Sequence, residues 1–532
     1  MDRLEQDVRE FVARLVRGAP EGWTDLELTV KAGPAGTEYD GWWAVPGRVP
    51  RPTGAVAGAG ALAAAIAAGR GWRGARLAVR GRRGGTFDFG AEPGTVRSGN
   101  TVVLDPGYVH PLPDERAPGS ALPPAGDAAR AVAALRAFLR GRAELLGEAE
   151  QSAPPATPEQ LAEAERRLGH RLPDDLRALY LTTDGGGGTS GLIDGRDLLT
   201  LDEMVHAAEH LRYAGKFHFA WDEPGDAAVP FGPRPHGAVR RCHDHPGWVP
   251  FTTDGSGNHH AVDLAPAAAG RPGQVLDIGA DNYEGPLYVA DSVTSLLVHH
   301  LDLLERGHYA LQDDWPPYLL LDRDPDEEPE EPEEPEEPEE PEWSGAGLPA
   351  APGPDLQSVR ITPRAPAAPL DLAPLAAAPR LRRLDLGART ARGLGTLRPL
   401  PVEFLRAGLD GAGLAPLAGH PHLGALDLAC DVPLDLAPLR ALPALWWLDL
   451  SRCALVQDLG VLGELAGLRY LALTREQWAE LLERDALPPG LVAARSAGAE
   501  ATAQWAARIG HQEGDSYRVD GIAVEGIAAD GN

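Results

Sequence analysis

The sequence predicts a multi-domain α+β chain: an N-terminal α+β module, a second α+β domain, and a C-terminal repeat solenoid. Three observations carry this reading. The chain has 532 residues, and single hydrophobic cores stop growing at roughly 250–300 residues. The run DRDPDEEPEEPEEPEEPEEPEW at 322–343 separates two stretches of ordinary composition. Beyond it, leucines return at a nearly constant interval. The expected limits are 1–150, 151–320, a linker at 321–354, repeats at 355–490, and a cap or tail at 491–532.

Composition narrows the function classes. Hydrophobic residues make up 43% of the chain and the net charge is −29. Such acidity argues against nucleic acid as a partner. It is concentrated: 151–320 and 321–342 each carry −13. The opening MDRLEQDVREFVARLVRG is charged throughout and reads as an amphipathic helix, not a signal peptide. The most apolar run, 53–69, is Ala/Gly-rich and too short to span a bilayer, so no membrane is expected. Cys242, Cys430 and Cys453 give no disulfide framework and fit a reducing cytoplasm.

In the first module, helices are expected at 2–17 and 59–69, with strands near 23–30 and within 72–90. A GWWAVPG segment lies at 41–47, and a helix at 127–146 closes the module. The segment PEGW at 20–23 and the late GGTFDFG strand faintly resemble the YezG-type bacterial immunity family.

In the linker, proline at every third position forbids helix and sheet, and the Glu pairs repel one another. An extended spacer follows, at about 3.1 Å per residue. After it, LAPLAAAPRLRRLDL (372–386), LAPLAGHPHLGALDL (414–428), LAPLRALPALWWLDL (436–450) and LGVLGELAGLRYLAL (459–473) align at nearly every leucine. LGTLRPLPVEFLRAG (394–408) is a copy shortened by one residue, and LQSVRI (356–361) is a truncated first copy. The periods of 20 to 23 identify a leucine-rich repeat solenoid. Each inward strand position falls on leucine, and Cys453 takes an inward ladder place. Two outward columns result: Arg383, Phe404, Ala425, Trp447, Tyr470, and Asp385, Arg406, Asp427, Asp449, Ala472. Three aromatics standing outward on a rigid sheet predict a protein-binding face.

In the second domain, Thr157-Pro158-Glu159-Gln160 is a capping box with proline in the first turn. Leu161, Ala164 and Leu168 form one helical stripe; Leu176, Leu179 and Tyr180 form the next, after Pro173. Gly185 and the glycines after it end that helix in a loop. VPFTTDGSGNHHAVDL (249–264) alternates like two strands about a D-G-S-G-N turn, followed by a strand at 273–279. DSVTSLLVHHLDLLERG (291–307) is an amphipathic helix with an Asp or Ser cap. LGHRLPDDLRALYLTTDGG (168–186), DGSGNHHAVDL (254–264) and ADSVTSLL (290–297) together resemble the SUKH superfamily over roughly 155–310. That superfamily holds a fungal cell-wall regulator and many bacterial toxin-immunity proteins. The resemblance implies an α+β domain that binds proteins and performs no catalysis.

No catalytic residue, cofactor or metal is expected. Four glycines follow Asp184, but no Lys or Ser/Thr stands after them in phosphate-loop spacing. His206-x-x-Glu209-His210, with Glu284 as a further ligand, matches an inverted zinc-protease motif; a solvated helix face accounts for it better. Cys242-His243-x-His245 lacks a second Cys pair. The expected function is non-enzymatic binding of a protein, with a toxin domain as the partner the resemblance implies. Multi-domain adaptor and zinc hydrolase are the alternatives. Expected contacts are Asp184, Gly185, Gly186, Trp221, Trp248, Asp254, Gly255 and Asn258, together with Arg383, Phe404, Trp447 and Tyr470.

Overall fold

A computed structural model describes the chain apart from residues 1–2, 34–35, 47–50, 54–55, 106, 109, 148–152, 186–192, 194, 215–227, 283, 313–317, 322–341, 362–367, 412, 499–501, 513–515 and 525–532. The spacer therefore lies almost wholly outside the described residues. Two compact units result, one from Met1–His110, Phe219–Gly225 and Pro338–Asn532, the other from Pro111–His218 and Asp226–Glu337. In chain order the second interrupts the first; they are called here the inserted unit and the host unit. This differs from the expected string of domains. Helix Ala128–Leu146, grouped above with 1–150, belongs to the inserted unit, because its stripe Ala131, Ala134, Leu135 and Leu139 completes that core.

The host unit begins with a six-stranded sheet. Its spatial order is Tyr517–Ile522, Phe87–Pro93, Ala75–Arg82, Asp25–Gly33, Gly36–Ala44, Arg51–Pro52. Strand Asp25–Gly33 alternates, burying Leu26, Leu28, Val30 and Ala32. These pack with Val8, Phe11, Val12 and Leu15 of helix Arg3–Arg17 and Leu62 and Ile66 of helix Ala59–Arg70. The out-pointing positions carry charge, as in the Arg80–Glu27 pair at 2.7 Å and Arg82–Asp25 at 2.9 Å. One edge strand comes from the expected tail: Tyr517–Ile522 pairs antiparallel with Phe87–Pro93.

The solenoid supplies a second host sheet. Parallel strands Ser358–Ile361, Arg383–Arg392, Phe404–Leu409, Ala425–Cys430, Trp447–Cys453 and Tyr470–Thr474 follow one another as the repeats require. Their register joins Arg383, Phe404, Ala425, Trp447 and Tyr470 in one row, and Asp385, Arg406, Asp427, Asp449 and Ala472 in another. Both rows match the columns read from the leucine spacing. Inward lie Leu384, Leu386, Leu405, Leu426, Leu428, Leu448, Leu450, Leu471 and Cys453. Ala-Pro-Leu segments make 3-10 turns at Ala373–Ala377, Ala415–Leu417 and Ala437–Ala441, where proline presets φ at the turn start.

Two strands extend the repeats beyond expectation, Glu342–Gly345 before them and Ala493–Ala497 after. The hairpin Val96–Ser98/Thr101–Val103 then pairs antiparallel with Ala493–Ala497. An open parallel edge is thereby covered. His420, fully buried, bolts two repeats together. Its Nε2 meets Leu397 O at 3.0 Å, while Nδ1 accepts from the amides of His422 (3.2 Å) and Leu423 (3.1 Å).

The inserted unit has a four-stranded antiparallel sheet in the order Leu287–Ala290, Gln274–Gly279, Asn258–Asp263, Trp248–Pro250. Helices Pro158–Leu168, Asp174–Tyr180, Leu201–Ala214 and Val293–Arg306 add Leu161, Leu176, Tyr180, Met204 and Leu296 to its core. The Thr157–Gln160 capping box is present in both directions, and Gly169 closes the first helix at φ 75°. Ser292 caps helix Val293–Arg306.

Acid is expected to loosen this unit. Burial, then Arg240 and His170, holds His245 down at about 4. Burial, then Arg196 and His300, holds His260 at about 3. Burial, then His299, holds His300 at about 4. Unfolding lets each take a proton near 6.5, so these histidines withdraw stability as pH falls from 6.5 toward 4. Asp263 opposes them. Burial raises its carboxyl to about 7 against hydrogen bonds from Ala265 and Gln274. The folded state thus keeps an extra proton there in the same window, and stability from it is lost as pH rises. The net slope is expected to be positive toward higher pH, and to steepen by about one proton equivalent in Asp263→Asn. Urea midpoints measured between pH 6.5 and 4 check this; equal slopes for the two proteins would refute it.

Candidate protein-binding face

Of the expected contacts, Gly186 and Trp221 lie outside the described residues. The glycine loop is fastened at its base. Tyr180 O–H donates to Leu199 O (2.8 Å) and Asp184 N–H to Pro154 O (3.1 Å). Asp184 Oδ1 accepts from Leu201 N–H (3.0 Å) at the start of helix Leu201–Ala214. Burial raises its carboxyl against that bond, and Glu203 and Asp202 push the same way. Gly185 is needed where it stands: at φ 64° a Cβ would sit 2.6 Å from the carbonyl oxygens of Leu198 and Leu199. Asp184 is therefore a helix-capping group as well as a surface carboxylate.

The D-G-S-G-N turn is likewise self-contained. Asp254 Oδ1 accepts from the amides of Ser256 (2.7 Å), Gly257 (3.1 Å) and Asn258 (3.0 Å). Its Oδ2 takes Ser256 Oγ (2.8 Å) and Asn258 Nδ2 (2.7 Å). Burial raises the carboxyl, but the bonds from Asn258 and Ser256 win and leave it well below the usual range. Asn258, itself buried, also bonds Asp281 through Nδ2 (2.7 Å) and Oδ1 (2.9 Å). Gly255 at φ 77° is exposed at the tip. Trp248 departs from expectation. It is 4% exposed, packed with Ala261, Leu276 and Ile278, because its strand is covered on that side.

The segment 196–203, missed at the sequence level, brings the two turns together. Strand Asp197–Leu198 pairs with Thr252–Thr253 beside the D-G-S-G-N turn, while Leu198, Leu199 and Leu201 hold the glycine loop. Thr200 and Glu203 form a capping box, with reciprocal bonds at 2.8 and 3.2 Å. That signal, T-x-x-E, was readable. Asp202 and Glu203 thus act on Asp184, and Asp254 on Asp277, while Asn258 joins Asp254 to Asp281. Arg196 answers Asp277 with paired bonds of 3.0 and 2.8 Å. Asp202 meets Arg167 at 3.1 Å and stays half-exposed.

The metal alternatives find other employment. His206 Nδ1 faces Asp202 O (3.1 Å) and Glu209 pairs with Arg167 (3.4 Å). The Cys242 thiol is buried, pushed far up by burial, and His245 Nδ1 accepts from Gly247 N–H (3.0 Å). Among the described residues no three His, Cys, Asp or Glu side chains cluster as a metal site. No helix among them is long and apolar enough to cross a membrane.

On the solenoid, the first column is not open. Arg383 and Phe404 are each 2% exposed, Trp447 1% and Tyr470 0%. Parallel strands at about 4.8 Å force rings of equal register to stack. Trp447 and Tyr470 do so at 4.8 Å and 4°. The Arg406 guanidinium lies over Phe404 (5.6 Å), and Arg383 Nε donates to Ser358 Oγ (3.2 Å). The second column is an ion ladder: Arg406 bridges Asp385 (2.9 Å) and Asp427 (2.7 Å), Arg452 meets Asp427 (2.6 Å), and Arg495 pairs with Asp449. Geometry thus favours the inserted unit as the accessible binding surface.

Comparison with known proteins finds relatives of part of that unit. The family described as SMI1 / KNR4 (SUKH-1) matches residues 155–299. These residues form a SUKH-1 domain. The chain is 29% identical over 193 residues to the cell wall assembly regulator SMI1 of Saccharomyces cerevisiae, covering 31% of this chain and 38% of that protein. It is 31% identical over 166 residues to the cell wall biosynthesis/cell cycle regulator smi1 of Schizosaccharomyces pombe, covering 30% and 33%. The likeness therefore spans little more than a third of either relative. Among solved structures, an internalin from Listeria monocytogenes is similar at 20% identity and a TM-score of 0.20, covering 26% of this chain and 40% of that one.

Proposed function

We propose that this chain is a non-enzymatic protein-binding protein whose SUKH-1 domain captures a basic protein surface. The observation that carries this is the set of carboxylates around 196–203, where Asp184 accepts from Leu201 N–H beside Asp202 and Glu203 of the same helix start; burial first, then Glu203 and Asp202, raise the Asp184 carboxyl. Such a field steers a basic partner to the two loop bases. The finer reading makes that partner the catalytic domain of a bacterial polymorphic toxin, neutralised by cover. The names of the curated relatives, a cell wall assembly regulator and a cell wall biosynthesis/cell cycle regulator, favour a second, a regulator. Three buried free thiols suit a cytoplasmic setting for either.

The test uses the intact chain as bait, then the purified captured protein. Asp197→Lys/Asp202→Lys is expected to slow association at least about tenfold at low salt. An unchanged association rate sinks the basic-partner reading. Loss of the captured protein's catalytic activity on binding supports immunity, and full retention supports regulation.

A further inference from the structure

We infer that Tyr108 and His110 clasp the chain to the solenoid at the point where it leaves the host unit. After strand Thr101–Val103, Leu104 and Asp105 donate their amides to Val492 O, at 2.6 and 3.2 Å. The chain then turns on Asp105. Gly107 N–H reaches its Oδ1 at 3.2 Å and Tyr108 N–H its carbonyl at 3.1 Å. The turn delivers Tyr108 to Arg469 and His110 to Trp446. Val492, Arg469 and Trp446 are equivalent positions, each directly before its strand in successive repeats. The segment thus runs back along the rim where the parallel strands begin.

The contacts at its end are specific. The His110 ring stacks on Trp446 at 3.8 Å and 27°. Tyr108 Oη lies 3.0 Å from His110 Nδ1, with the Arg469 charge close to both side chains. Burial, then that charge, holds His110 down at about 4 and keeps its ring neutral. Nδ1 then accepts from the phenol or donates to it according to the tautomer. Pro111, the next residue, is the first of the inserted unit. This crossing is pinned at a stacked ring.

Hydrogen exchange on the full chain tests the clasp. In His110→Ala and Trp446→Ala, the amides of Gly107, Tyr108 and His110 are expected to exchange at least about tenfold faster than in the parent. Amides of strands Ala425–Cys430 and Tyr470–Thr474 should keep their parent rates. Unchanged exchange at 107–110 with intact strands overturns the clasp. If either alanine variant disturbs the strands, Tyr108→Phe decides, since it keeps the ring and removes the phenol that meets His110 Nδ1. A smaller local rise then upholds the clasp, and parent-like rates overturn it. His110→Phe, which keeps the stack alone, should fall between parent and alanine; alanine-like rates in it would overturn the stacking contribution.

Discussion

A chain truncated after residue 510 is expected to lose the cooperative unfolding transition of its N-terminal sheet. The lost strand Tyr517–Ile522 is an edge strand, yet Ile522 is fully buried and Val519 nearly so in the core of that sheet. Tyr517 packs edge-on to Phe89 at 6.4 Å beneath the Arg70 guanidinium at 5.2 Å. Burial of two such aliphatic side chains is worth about 3–6 kcal/mol, against a total of roughly 5–15 kcal/mol for a typical domain. Gln512 goes as well, and with it the bonds of its amide and carbonyl to Thr95 Oγ1 (3.0 and 3.2 Å) and of Nε2 to Gly71 O (2.8 Å). The stripped strand Phe87–Pro93 then becomes an open edge, and self-association should follow. Hydrogen exchange at 75–93 and light scattering check both outcomes. Ile522→Ala alone should cost about 2–4 kcal/mol. Parent-like protection of 75–93 in the truncated chain would show that the sheet stands without its last strand.

Asp175→Ala is expected to cost the inserted unit about 1–3 kcal/mol, seen as a lower urea midpoint with an unchanged slope. The carboxylate is 1% exposed and lies where three helices begin. Its Oδ1 accepts from Leu176 N–H (2.9 Å) in helix Asp174–Tyr180. Its Oδ2 takes Thr294 N–H (3.0 Å) and Thr294 Oγ1 (2.9 Å) in helix Val293–Arg306. Thr294 Oγ1 in turn accepts from Asp127 N–H (2.9 Å), the cap of helix Ala128–Leu146. Helix N-termini carry partial positive charge, and one buried anion answers all three. Alanine would strand the Thr294 N–H in a dry site. Gly126 shows how tight the arrangement is, since a Cβ there would fall 2.4 Å from the carboxylate. Asp175→Asn keeps one acceptor and should lose about half as much. A midpoint within error of the parent for Asp175→Ala would remove the node from the account.

Features written in short-range chemistry were legible. Capping boxes, the Leu-Pro break before Asp174, and the leucine interval all act within one turn or one repeat. The interval even set the cross-strand rows, because parallel stacking of equal repeats allows only one register. What escaped notice depends on contacts between distant segments of chain. Nothing in YRVDGI marks it as a partner of FDFGAEP more than 420 residues earlier. Nothing in the Ala-rich stripe of 128–146 says which core it completes. The aromatic column illustrates a different limit. Alternation says correctly which way Trp447 and Tyr470 point, but not that a strand spacing near 4.8 Å makes them each other's cover. At the candidate site, Asp184 was found from its glycines, while its role as cap of Leu201 needed the fold.

The interruption of one unit by the other also sets a load path. Strands Asp25–Gly33 and Tyr517–Ile522, which flank the SUKH-1 domain in the chain, belong to one sheet and are joined through Ala75–Arg82 and Phe87–Pro93. A pull applied between those two strands is therefore carried first by the hydrogen bonds of that sheet. The residues between them feel it only after the sheet parts.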